Sequence, residues 1–175
     1  MLLGISGSLR QDATNRKLIR EAARLYGGDF VEADIRLPLY DGDEEDAHGV
    51  PENVQRLAGQ ISDAEAVVIS TPEYNQSFSG VLKNALDWVS RVEGNPWRQK
   101  PVAIMSAASG RAGGARATYA LRLAMNSFRP MLLTGPEVQV ASGRTQFDDA
   151  GRLTSDRYET SLTELMGLLR QFARG

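Results

Sequence analysis

The sequence predicts an α/β protein built on an open, mostly parallel sheet with helices on both faces. Five short apolar runs alternate with five stripes of apolar residues at helical spacing along the 175 residues. Polar, glycine-bearing loops follow the first, third and fourth runs, which in such a sheet share one carboxyl edge. No internal repeat, low-complexity tract or linker interrupts the pattern, so residues 1–175 read as one domain.

The elements follow in order. Met1–Ile5 is a short apolar run that stops at glycine and serine, and reads as the first strand. Leu18, Ala22, Leu25 and Tyr26 recur at helical spacing behind it, with Thr14 in place as an N-cap. Phe30–Leu37 alternates like a strand until Pro38, and the acidic stretch Asp41–Pro51 reads as a surface loop. Val54, Leu57, Ala58 and Ile61 mark a second helix, and Ala66–Ser70 a buried strand. Leu82, Ala85, Leu86 and Val89 form a third helical stripe before the buried strand Pro101–Met105. Ala117, Ala120, Leu121, Ala124 and Phe128 give the fourth helix. Met131–Thr134 and Val138–Val140 read as one strand split around Gly135-Pro136. Leu162, Leu165, Met166, Leu169 and Phe172 close the chain as a helix starting near Ser155 or Asp156.

Composition narrows the chemistry. The chain is 42% hydrophobic and 24% charged with a net charge of −2, which fits a globular protein and not a general nucleic-acid binder. No apolar run reaches the roughly 20 residues of a membrane span, and the N-terminus lacks a signal-peptide core. A cytoplasmic protein without membrane contact is therefore expected. There is no Cys, and His48 is the only His, set among acidic residues. Thiol chemistry, iron–sulfur centres and Cys/His zinc sites are excluded, and a Ser-His-Asp triad would depend on that one residue. Carboxylates and hydroxyls remain, or a borrowed cofactor.

Three loops hold the unusual residues. The first, from Ser6 to Asn15, leaves a strand and enters a helix, so its amides and the helix N-terminus converge with positive partial charge. Ser8, Thr14 and Asn15 add neutral donors and Arg10 a charged fork, a set suited to a phosphate. The same residues also suit an ordinary turn with Arg10 in solvent. Neither the Walker pattern nor the three-glycine dinucleotide pattern occurs here. The second loop, Thr71–Gly80, is long and polar, with Tyr74 offering a flat face and Asn75 able to read a ring edge. The third contains Ala108, Ser109, Gly110 and Arg111, small enough for a planar ligand to approach the backbone, or simply a flexible turn. Trp88 and Trp97 read as core or interface anchors, and Lys83 and Asp87 as a surface pair.

Gly7-Ser8-Leu9-Arg10 with Asn15, Pro72-Glu73-Tyr74-Asn75, and Leu82–Trp88 with Ser90-Arg91 resemble the NADPH-dependent FMN reductase family, as do Leu37–Tyr40 and Gly113–Arg116. The resemblance implies a flavodoxin-like three-layer αβα sandwich with a five-stranded parallel sheet in the order 2-1-3-4-5. It implies bound, non-covalent FMN, NADPH or NADH as donor, and a quinone, chromate, azo dye or free flavin as acceptor. A homodimer or homotetramer is implied with it. Ser8, Arg10 and Asn15 would hold the FMN phosphate, with Leu9 and Thr14 in the same loop. Pro72, Glu73, Tyr74 and Asn75 would line the ribityl chain and ring, with Ala108, Ser109 and Gly110 against the ring. Tyr74 and Arg111 are the candidate substrate contacts. A flavodoxin-type electron carrier, or a reductase that releases reduced FMN to a monooxygenase, would share these features.

Two positions depart from the family pattern: Ala13 stands where Ser is usual, and Ala108 where Ser or Thr is common. Each lost hydroxyl removes a donor worth about 0.5–1.5 kcal/mol. Ala13→Ser and Ala108→Ser are expected to tighten FMN binding measured by fluorescence titration; unchanged affinity in both would show that the missing hydroxyls do not matter.

Overall fold

The computed structural model describes residues 1–174; Gly175, the last residue of the expected domain, lies outside the described residues. Six strands form one sheet: β1 (Leu2–Ser6), β2 (Phe30–Glu32), β3 (Ala66–Ser70), β4 (Pro101–Ala107), β5 (Met131–Leu132) and β6 (Val138–Val140). All pairings are parallel, in the order β2-β1-β3-β4-β5, with β6 also on β4. β5 pairs with the start of β4 and β6 with its end, so the two short pieces share the fifth position. The split strand expected around Gly135-Pro136 is this pair, and the order is 2-1-3-4-5.

Side-chain alternation along the strands builds two cores. Leu3, Ile5, Val67, Ile69, Val102 and Ile104 face α3 (Glu52–Asp63), α4 (Gly80–Val89) and α5 (Ala115–Met125). Leu2, Ala66, Val68, Ala103 and Met105 face α1 (Thr14–Tyr26) and α6 (Asp156–Arg174). Because both faces are covered, β1, β3 and β4 are buried at every residue. Trp88 and Trp97 are core residues; Trp88 Nε1 donates to Pro38 O at 2.8 Å. Lys83 and Asp87 pair on the surface at 2.7 Å.

Four expectations need correction. The second strand is only Phe30–Glu32, not Phe30–Leu37. Ala33 and Ile35 stay buried while Asp34 and Arg36 are exposed; Ala33 N still bonds Gly4 O at 2.9 Å, and beyond it the alternation records packing rather than strand pairing. Asp34 Oδ1 accepts from Arg36 N at 2.9 Å and turns the chain away from the sheet. The acidic stretch is not all loop: α2 (Gly42–His48) forms there, with Asp41 accepting from Asp43 N and three acidic residues in its first turn. It buries no residue, so it has no apolar period. Thr14 is the first helical residue rather than the cap; Ala13 occupies the cap position with no side-chain hydrogen bond. Phe172 is 47% exposed instead of joining the closing helix's apolar face.

One buried carboxylate fastens α1 to the segment before α6. Glu21, 2% exposed, pairs with Arg24 and Arg152, each at 2.8 Å, and accepts from Leu153 N at 3.2 Å. Burial alone would raise its pKa; the hydrogen bonds from Arg24 and Leu153, Arg24's charge and the Arg152 bond outweigh it and hold the carboxyl below its ordinary value. A carboxyl with a lowered folded pKa stabilises the fold above its unfolded pKa and loses that contribution as pH falls through the folded one. Glu21→Gln is expected to cost about 1–3 kcal/mol in urea unfolding at pH 7, with the deficit shrinking as pH falls through the carboxylate range. A deficit constant with pH would contradict this.

Candidate active site

At the carboxyl edge the loops after β1, β3 and β4 meet around a cleft of about 630 Å³. Asn15, on the second residue of α1, holds this edge together. Its Nδ2 donates to Ala107 O at 2.9 Å, and its Oδ1 accepts from Ala107 N at 2.9 Å and Ser70 Oγ at 2.7 Å. The side chain thus ties α1 to the ends of β3 and β4, and three of its four hydrogen-bonding positions are occupied internally. What Asn15 offers a ligand is mainly its backbone amide.

The first loop turns back on itself. Ser6 Oγ accepts from Ser8 N at 3.3 Å, and Ser8 Oγ accepts from Arg10 N at 3.4 Å, leaving the Ser8 hydroxyl hydrogen free. The amides of Thr14 and Asn15 lie in the first turn of α1, where no intrahelical acceptor exists, and that turn carries no acidic residue. Gly7 has no room for a side chain: a Cβ there would lie 2.9 Å from Thr71 Oγ1 and 3.1 Å from Ser79 Oγ. The first loop therefore packs directly on the second.

In the second loop Tyr74 and Ser77 exchange two backbone hydrogen bonds, 2.9 and 3.1 Å. Asn75 and Gln76 between them adopt φ of 50° and 68°, the tight turn that lifts Tyr74 to 53% exposure. Glu73 reaches the first turn of α5. Its Oε2 accepts from Arg116 N at 3.1 Å and Ala117 N at 3.4 Å, and its Oε1 lies 3.6 Å from Arg116 Nη1. It caps α5, whose own cap residue is Gly114 without a side chain. Gly113 is held at φ 60°, where a Cβ would lie 2.3 Å from Gln139 O.

Ser8, Arg10, Thr14, Asn15, Pro72, Glu73, Tyr74, Ala108, Ser109, Gly110 and Arg111 all line the cleft. Leu9 and Asn75 do not: Leu9 packs against the core, and Asn75 sits at the tip of its turn. Sequence reasoning missed Asp12 and Arg144. Arg144 follows β6, in a stretch with no motif. The lining carries Arg10, Arg111, Arg116 and Arg144 against Asp12 and Glu73. Among the described residues, only Arg116 of the four arginines has an ion-pair partner. The field of the cleft favours an anion.

Among the described residues no group of His, Asp and Glu is placed to hold a metal, and no helix is long and apolar enough to cross a membrane. A parallel α/β sheet whose carboxyl edge presents first-turn amides, unpaired arginines and an exposed aromatic defines a binder of phosphorylated planar ligands. The family model of the NADPH-dependent FMN reductases matches residues 1–145. An NAD(P)H-dependent FMN reductase of Pseudomonas aeruginosa is 42% identical over 99% of this chain and 95% of its own. A quinone reductase of Escherichia coli is 39% identical over 75% of this chain and 72% of its own. The solved structure of a flavoenzyme NAD(P)H:acceptor oxidoreductase from Paracoccus denitrificans superposes with a TM-score of 0.88 at 30% identity, covering 99% and 96% of the two chains. The chain belongs to the NADPH-dependent FMN reductase family. It has the flavodoxin-like fold and is an oxidoreductase with FMN and NAD(P)H as cofactors.

Two variants test how the edge is built. Asn15→Asp keeps the acceptor and removes the donor to Ala107 O, leaving a carboxylate against a carbonyl. Glu73→Ala uncaps α5. Thermal or urea unfolding is expected to show losses of about 1–3 kcal/mol for the first and about 0.5–2 kcal/mol for the second. Wild-type stability in both would refute these clamps.

Proposed function

We propose that this chain reduces quinones with NAD(P)H at the carboxyl-edge cleft, donor and acceptor using one site in turn. When bound, FMN would supply the two-electron redox chemistry of the overall conversion, in which NAD(P)H, one solvent proton and a quinone give NAD(P)+ and a hydroquinone. The observation that carries the reading is the cleft itself: a concavity lined by the first turn of α1 with its free amides, by arginines without ion-pair partners among the described residues, and by the exposed Tyr74 of the second loop. Its volume and its donors fit the mononucleotide.

The residues divide the work by position. Ser8 Oγ, Arg10 and the amides of Thr14 and Asn15 take the phosphate, while the Asn15 side chain holds α1 in register with β3 and β4. Pro72, Ala108, Ser109 and Gly110 give the ring a small-residue wall. Glu73 ties the second loop to the start of α5, Leu9 anchors the first loop in the core, and Asn75 allows the turn that presents Tyr74. Tyr74 offers an aromatic face to nicotinamide and then to quinone, and Arg111 draws the anionic donor inward. No side chain is asked to act as acid or base; His48 is 72% exposed on α2, paired with Glu44, and does not line the cleft. The chain has no thiol to relay electrons. The quinone reductase of E. coli favours quinone as the acceptor class.

Initial rates with NADPH and a benzoquinone, each varied, are expected to give parallel double-reciprocal lines. Tyr74→Ala is expected to raise KM for the quinone by about 2–10-fold, the scale of one aromatic contact. Intersecting lines would show that donor and acceptor occupy separate sites.

A further inference from the structure

We propose that Arg144 reads the phosphate of the bound mononucleotide, as a second cationic contact beside Arg10; this rests on the function proposed above. The segment that carries Arg144 is fixed in place by backbone contacts. Gly143 N donates to Ala108 O at 2.9 Å, and Thr145 N and Gln146 N close a short turn on Ser142 O and Gly143 O at 3.0 and 3.3 Å. Gly143 itself is buried, and a Cβ on it would lie 3.4 Å from Ala107 Cβ. Ala107 is the residue whose N and O are both held by Asn15, in the first turn of α1. Further along the same segment, Leu153 N and Arg152 bind Glu21 of α1. Gly143 therefore sits against the strand end that Asn15 holds, Leu153 against Glu21 of the same helix, and Arg144, next to Gly143, lines the cleft.

Arg144 is exposed, lines the cleft and has no ion-pair or hydrogen-bond partner for its guanidinium among the described residues. An arginine held by a rigid backbone next to free first-turn amides is placed for a bidentate contact to an anion. The chemistry also bears on the missing hydroxyl of Ala13. Ala13 occupies the cap position of α1 and lines the cleft with no hydroxyl to donate. A guanidinium from the segment after β6 supplies donors and charge in its stead.

The test is binding of FMN and riboflavin to flavin-free protein, because the two differ only in the phosphate. Arg144→Ala is expected to weaken FMN by roughly tenfold or more, the scale of a charged hydrogen bond, and to leave riboflavin unchanged. Arg144→Lys should lie between. Arg56→Ala on α3 removes the same charge away from the cleft and should leave both affinities as they are. An FMN-to-riboflavin ratio equal to that of the parent would overturn the inference, and most clearly if the preference for NADPH over NADH fell instead, placing Arg144 on the donor's extra phosphate. Should the parent itself bind riboflavin as tightly as FMN, the phosphate assignment in the proposed function fails and this inference falls with it.

Discussion

The carboxyl edge depends on one buried amide. Asn15 is 2% exposed and bonds both backbone groups of Ala107 as well as the Ser70 hydroxyl. A strand that ends at a cleft leaves backbone groups without a ladder partner, and burying them unpaired would cost about 1–3 kcal/mol each. Asn15 satisfies Ala107 with the geometry of another amide. It also sets where α1 begins relative to β3 and β4. The free amides of the first turn, the Ser8 turn and the small-residue wall at Ala108 all take their positions from that register.

Two further clamps make the edge a cleft rather than three separate turns. Glu73 of the second loop caps α5, an element that begins beyond the third. Gly143 of the segment after β6 donates back to Ala108. These are polar contacts between loops, and loops joined this way present a preorganised surface at little cost when a ligand arrives. The charges left over among the described residues are Arg10, Arg111 and Arg144 against Asp12, a net positive lining. Glu73 is occupied by helix amides and Arg116.

Much of this was legible in the sequence. Five apolar runs alternating with helical stripes gave the sheet, since a strand buried on both faces has almost no alternative composition. The three polar loops stood out because polar, aromatic and glycine residues seldom follow such strands without a function. What was not legible is contact from side chain to distant backbone. Asn15 meets Ala107 across 92 residues and Glu73 meets Arg116 across 43, and a backbone acceptor carries no residue identity to read. Arg144 belongs to no motif; only the fold of the segment after β6 brings it in. Helix α2 lacked an apolar period because it buries nothing, although Asp41, the acidic first turn and Gly49 were its local signals. The absence of Cys and the single, remote His48 are legible in the sequence, and they point the same way as the family.

The most direct test of the account is a visible absorption spectrum of the purified protein, titrated with FMN and then given NADPH without oxygen. Stoichiometric uptake, a shifted flavin band and complete bleaching of that band by NADPH are expected. Its recovery on adding a quinone would complete the cycle. A colourless protein that takes up no FMN, or one whose bound flavin NADPH leaves yellow, would contradict it.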